Sequence, residues 1–261
     1  MKIIIIGTAH PYRGGLATFN ERMANQFHNE GHDVEMITFT LQYPSFLFPG
    51  KTQFTDDPKP INLSILRQIN SINPINWIQT GKEIRNKNAD IVIFCYWMSF
   101  MAPCFGTIAR QIRKNKKSKL IALVHNMIPH ESTILDKILP FYFVSKMHAF
   151  VSLSKSVIHD INTFDKKNKL KIYTPHPIYD HYGEKLPREV ALERIGLDKN
   201  YRYLLFFGFI RRYKGLDLLL DAFADNRLRK YHTKLIVAGE FYENEEGYRE
   251  KIKDLQLEPW V

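Results

Sequence analysis

The chain opens on an apolar run, Ile3-Ile4-Ile5-Ile6, closed by Gly7, and runs of the same kind return at 33–38, 90–96, 119–124, 148–153 and 171–174. Short apolar runs bounded by glycine and polar residues predict strands covered on both faces. Between them the apolar spacing changes to three and four. Leu16, Phe19, Met23 and Phe27 predict a helix from Leu16 to Glu30, with Gly31 placed to end it. Pro74 begins a predicted helix to Lys87, Ala102 one to Lys114, and Ile134 one to Phe143; Ser154 is placed to cap another that runs to Phe164. Six strands with helices between them predict a doubly wound parallel sheet. Phe39 to about Pro60 is rich in Pro, Phe and Gly and reads as a surface excursion, followed by one or two helices, of which 74–87 is the clearer.

Thr174-Pro175-His176-Pro177 breaks this rhythm, because two prolines two apart continue neither a helix nor a central strand. The expected division is 1–176 and 177–261. After it come a helix near 188–195, a strand at 203–207, a helix at 215–224, a strand at 234–238 and a helix near 245–255. Two strands are few for a sheet domain of this kind, so the second domain is expected to be cut short.

The most informative stretch runs from Leu204 to Phe223. An apolar strand ends at Gly208, a loop carries Arg211, Arg212 and Lys214, and Gly215 opens an amphipathic helix. Side chains and helix start both bring positive charge to such a bend. A solvated turn is the plain alternative. The position at the carboxyl end of a strand, where ligands of open α/β sheets gather, favours a phosphate or diphosphate. In the first loop Gly7 is followed by glycine only at Gly14 and Gly15, so the Gly-x-Gly-x-x-Gly dinucleotide fingerprint is not met. Close backbone approach to a ligand and a simple tight turn both remain open there. His125, just after the strand at 119–124, is placed to serve a sugar hydroxyl or a phosphate oxygen, or else the loop backbone. In the same loop stand His130 and Glu131, the latter a simple helix-start acid.

Composition narrows the choices. The 44% hydrophobic fraction fits a folded domain, and no apolar run reaches the ~20 residues of a membrane span. The opening run is too short for a leader, so a cytoplasmic location is expected. Cys95 and Cys104 imply neither a disulfide framework nor a zinc site and are expected to be buried. No His-Glu-x-x-His or similarly tight ligand spacing is present, so no metal is expected, and no Gly-x-Ser-x-Gly elbow suggests acyl hydrolysis. A net charge of +10 predicts attraction to anions. Six cations fall in ten residues: Arg110, Arg113, Lys114, Lys116, Lys117 and Lys119. Such a run suits a solvated helix end, and also an anchor on an acidic membrane surface. Nucleic acid is not an expected partner, for want of a recognition motif or stacking pattern.

Taken together, Gly14-Gly15, His125, Ser154-Lys155-Ser156-Val157 and the stretch from Gly208 to Ala222 resemble glycosyltransferase family 4. The most specific part is Phe207-Gly208, Lys214-Gly215 and Leu219-Leu220-Asp221-Ala222. The resemblance implies the GT-B fold of two Rossmann-like domains around a cleft, a retaining hexosyltransferase using a UDP- or GDP-linked sugar, and no cofactor or obligatory metal. It further implies a glycan or lipid-linked acceptor, with work in polysaccharide or glycolipid synthesis at or near the inner face of the membrane. Gly14 and Gly15 would line the acceptor side and approach the donor phosphate, His125 would touch the transferring sugar, and Lys214 would neutralise the diphosphate. Phe209 stands where many members carry Arg, so Arg211 or Arg212 would supply that cation. The family's paired glutamates, with seven residues between them, have no counterpart among Glu243, Glu245, Glu246, Glu250 and Glu258; Glu243 and Glu250 have six between them. An incomplete donor site is therefore expected. A noncatalytic module that keeps anion affinity for membrane or partner docking is the alternative.

Overall fold

A computed structural model describes residues 1–44, 48, 50, 52–128, 133–179, 183–229 and 231–261. The chain forms two compact units: Met1–Leu47 with Thr52–Ile178, and Phe48–Lys51 with Tyr179–Val261. His130 and Glu131 lie outside the described residues.

Unit 1 is built on a seven-stranded parallel sheet in the order β3-β2-β1-β4-β5-β6-β7. The strands are β1 (Lys2–Ile6), β2 (Asp33–Leu41), β3 (Ser64–Asn70), β4 (Ile91–Tyr96), β5 (Lys119–Val124), β6 (Ala149–Ser152) and β7 (Leu170–Tyr173). Alternation along β1 sends Ile3 and Ile5 to one face and Ile4 and Ile6 to the other. All four lie within the core, each burial contributing about 1.5–3 kcal/mol. The Ile3 face packs on Phe19 and Ala24 of α1 (Gly15–Asn29). The Ile4 face packs on α2 (Pro74–Asn86), α3 (Ala102–Ile112), α4 (Leu139–Lys146) and α5 (Lys155–Phe164), among them Phe105, Phe143 and Phe164. Both cysteines are buried, which pushes their thiols well above the ordinary value.

Three local expectations need correction. Residues 64–70, expected as helix or loop, form edge strand β3. The spacing from Ile65 to Ile69 is four, a distance shared by both periods, and pairing of Ile65 with Met36 and Ile69 with Phe39 decides for strand. The helix expected from Ile134 begins with a single 3₁₀ turn at Leu135–Lys137, and α4 proper starts beside Pro140. Ser154 holds the N-cap position of α5, but its hydroxyl pairs with Ser156 Oγ at 2.7 Å and caps no backbone N–H.

The strand order reverses between β1 and β4. The loop after β1 and the end of β4 therefore lie where parallel α/β sheets collect ligands.

Unit 2 contains α6 (Arg188–Arg194), β8 (Arg202–Phe207), α7 (Leu216–Phe223), α8 (Asn226–Arg229), β9 (Thr233–Ala238) and α9 (Glu245–Asp254). Strands β8 and β9 pair in parallel from Arg202–Thr233 to Phe207–Ala238. Its core gathers Ile210, Leu216, Leu220, Phe223, Leu235 and Leu257. Leu205 and Phe207 have the apolar character of a covered strand and are 62% and 81% exposed. Lys251 of α9 holds Asp221 of α7 at 2.7 Å, tying the two helices together across their solvent side.

Candidate functional site

In unit 1 the chain leaves β1 at Gly7, packed so closely on β4 that an added Cβ would lie 2.8 Å from that of Cys95. It reaches α1 through Gly14, whose φ of 108° is costly for any residue with a side chain. No side chain caps this helix start. A Cβ built on Gly14 or Gly15 would meet nothing within 4 Å, so the backbone there is open to an approaching group.

His125 follows β5 and is fixed by its own N–H, which donates to the Tyr96 carbonyl at 2.8 Å. Its ring meets Phe19 of α1 edge-on at 5.2 Å, and Phe19 meets His176 at 5.3 Å. One aromatic side chain thus links the first helix, the His125 loop and the segment after β7. Beside them Asn20 donates to the Thr8 carbonyl at 2.9 Å. Three buried polar atoms here, Thr8 Oγ1, Asn20 Oδ1 and His125 Nε2, have no hydrogen-bond partner among the described residues. Buried polar groups normally find partners, so these three atoms leave hydrogen-bonding capacity unused at the carboxyl edge.

Burial, and secondarily the nearby His176, pushes His125 down to about 4. The ring is neutral at pH 7 and offers one donor and one acceptor. Because the folded value lies below the ordinary 6.5, the unfolded chain takes up the proton first as pH falls. This contribution to stability is full above about pH 6.5 and is lost toward about pH 4, reaching a penalty of about 2 kcal/mol at about pH 5. Denaturant titrations across that range should show this loss in the wild type and a correspondingly smaller one in His125→Gln. Equal slopes in the two proteins would contradict it.

In unit 2 the bend after β8 is set by two glycines. Gly208 has φ of 118° and donates its N–H to the Ala238 carbonyl at 3.0 Å. Gly239, at the matching place after β9, lies so near the Gly208 carbonyl that an added Cβ would overlap it. Ile210 is fully buried and anchors the loop, accepting from the Tyr242 N–H at 3.1 Å. Arg212–Lys214 then form one 3₁₀ turn, and Gly215 is the N-cap of α7.

The guanidinium of Arg211 lies 5.0 Å from the centre of the Tyr242 ring, and the same ring packs on Phe209 at 4.3 Å. Lys214 lies over its neighbour Tyr213 at 5.3 Å and is exposed. Arg212 is also exposed, and its backbone N–H donates to the Glu243 carboxylate. That carboxylate, with Asp217, reinforces burial in raising the Tyr248 phenol above its ordinary value. The bend therefore accepts negative charge within the protein itself. Gly208, Arg211, Arg212, Lys214 and Gly215 fall within one turn of chain, while Gly14, Gly15 and His125 share the carboxyl edge of unit 1. Among the described residues no group of three or more His, Cys, Asp or Glu could hold a metal.

Residues 187–259 match the family model described as glycosyl transferases group 1. The matched segment holds every helix and strand of unit 2, the cationic bend included. No curated protein sequence matches the chain. Among solved structures, HepE from Anabaena, in complex with UDP and glucose, overlays with a TM-score of 0.68 at 13% identity, covering 100% of this chain and 68% of its own. Sucrose-phosphate synthase from Thermosynechococcus elongatus gives 0.66 at 13%, covering 100% and 69%. UDP-GlcNAc 2-epimerase from Methanocaldococcus jannaschii gives 0.56 at 11%, covering 99% and 70%. The fold is that of GT-B glycosyltransferases. An epimerase shares it, so architecture alone does not select the reaction.

The sequence alone assigns no place at the site to Phe19, Asn20, Gly239, Tyr242 or Glu243. Gly239 had a signal, since it ends an apolar strand just as Gly208 does. The others belong to the site only through contacts distant in sequence.

Proposed function

We propose that the protein is a retaining glycosyltransferase that moves a hexose from a UDP- or GDP-linked sugar to a glycan or lipid-linked acceptor. The observation that carries this reading is that the group 1 match includes the cationic bend at the carboxyl end of β8. The solved HepE complex with UDP and glucose supports a nucleotide sugar as donor.

In this reading unit 2 receives the leaving diphosphate and unit 1 the acceptor side. The bond between the anomeric carbon and the diphosphate oxygen breaks, and its electron pair leaves with the diphosphate. Arg211 and Lys214 stabilise that charge together with the N–H groups of the turn and of the start of α7. The acceptor oxygen bonds the anomeric carbon on the same face, and its proton passes to the departing phosphate oxygen. Neutral His125 hydrogen-bonds the transferring sugar, and the open backbone at Gly14 and Gly15 admits substrate closely. Positive charge comes from side chains and backbone, so the scheme calls for no divalent cation. The reaction would serve polysaccharide or glycolipid synthesis in the cytosol or at the inner face of the membrane. No helix among the described residues is long and apolar enough to cross a membrane.

Thermal-shift titration of the whole chain with UDP, GDP, their hexose conjugates and pyrophosphate tests the reading. One nucleotide series should raise the melting temperature saturably and more than pyrophosphate does. Equal stabilisation by every polyanion, heparin included, would replace the transferase reading with that of an anion-binding docking module.

A further inference from the structure

The edge of unit 1 opposite the carboxyl ends of its strands carries a second charged surface. In a parallel sheet, the segments that lead into β5, β6 and β7 lie side by side at the amino edge. The segment before β5 supplies Arg113, Lys114 and Lys116, β5 itself starts on Lys119, the segment before β6 supplies Lys146, and that before β7 supplies Lys167. The three segments are physically joined. Arg113 donates to the Lys146 carbonyl at 2.8 Å, Lys169 to the Val144 carbonyl at 2.6 Å, and the His148 N–H to the Leu120 carbonyl at 2.8 Å. After the effect of burial, Arg113, Lys119 and Lys169 together lower His148, so their fields converge. Asp90 holds Lys117 at 3.1 Å and Asp165 holds Lys171 at 2.7 Å, while Asp33, at the amino end of β2, is exposed. The six cations named first have no ion-pair partner among the described residues.

Apolar surface lies beside these cations. Leu170, between Lys169 and Lys171, is 63% exposed. An apolar groove of about 250 Å³ begins at this edge and runs along one sheet face, lined by Met1, Ile3, Ile91, Ile93, Ile121 and Leu123, among others. Met1, Ile91 and Ile121 stand at or near the amino ends of β1, β4 and β5, and Lys119 is two residues before Ile121 on the same side of β5.

We propose that this amino edge docks unit 1 on a bilayer rich in acidic phospholipid. The cations meet the headgroups, while Leu170 and the groove face the hydrocarbon boundary. Charged loops beside exposed apolar surface are the combination that interfacial binding requires. The docking surface is separate from the carboxyl-edge candidate site and does not depend on the reaction proposed for it.

The test is flotation of the full chain with phosphatidylcholine vesicles, with and without an equal share of phosphatidylglycerol. Binding should require the acidic lipid and weaken with salt. The triple variant Arg113→Ala, Lys114→Ala, Lys116→Ala should lose about a hundredfold in partitioning, from about fivefold per charge. A control that removes three exposed cations of unit 2, Lys185→Ala, Arg194→Ala, Lys199→Ala, should keep nearly all of it. Circular dichroism of both triples should match the wild type, because all six side chains are exposed. Equal binding to neutral vesicles, equal loss in the two triples, or tighter binding to duplex DNA than to acidic vesicles would each overturn the proposal.

Discussion

Gly239→Ala is expected to unfold unit 2 while leaving unit 1 folded. The methyl group would occupy the place of the Gly208 carbonyl oxygen, and the backbone on both sides is fixed. Gly208 is tied to Ala238, Ile210 to Glu240, and Tyr242 to Ile210, so neither chain can move aside without breaking the ladder. The unit's buried core is small, centred on Ile210, Leu216, Leu220, Phe223, Leu235 and Leu257, and has little stability to spare. A cost above about 4 kcal/mol exceeds what such a core withstands. Limited proteolysis should cut the variant between about 179 and 261 and leave a resistant piece ending near 178, with a matching loss of far-ultraviolet helix signal. Gly208→Ala should cost less, about 1–2 kcal/mol, because its penalty is the φ of 118° and a Cβ there meets nothing within 4 Å. A Gly239→Ala protein that melts like the wild type would show that the crossing at Gly208 is looser than the geometry indicates.

The second large effect is on ligand binding. Lys214→Ala should weaken binding of the nucleoside diphosphate about 10–100-fold, the range for losing one hydrogen bond to a charged group. Arg211→Ala should fall in the same range, for two reasons: a cation is lost, and so is the guanidinium that lies over Tyr242. Arg212→Ala should have a small effect, since the hydrogen bond from Arg212 to Glu243 uses the backbone N–H, which alanine keeps. The contrast decides between Arg211 and Arg212 as the partner of Lys214. Isothermal titration with UDP, alongside steady-state rates, separates lost binding from lost transition-state stabilisation. Losses ranked with Arg212 first would move the anion to the other side of the turn.

Much of this protein was legible without coordinates. The isoleucine run of β1, the strand at Ile91–Tyr96 and the bend from Gly208 to Gly215 are local signals, in which period and punctuation follow from the residues themselves. β3 was not legible, because Ile65 and Ile69 fit either period until β2 offers a partner. Nor was the idle hydroxyl of Ser154, which found Ser156 in place of a backbone N–H.

The same division holds at the candidate site. Sequence alone fixed which chemistry stands after each strand: histidine after β5, and arginine with lysine after β8. It also fixed the glycines that let the backbone turn there. Tertiary structure decided how those groups are held, through Phe19 on His125, Tyr242 under Arg211, Glu243 on the Arg212 N–H and Gly239 against Gly208. Those pairs are 31 to 106 residues apart in sequence, and it is burial and backbone closure, not spacing along the chain, that bring them into contact.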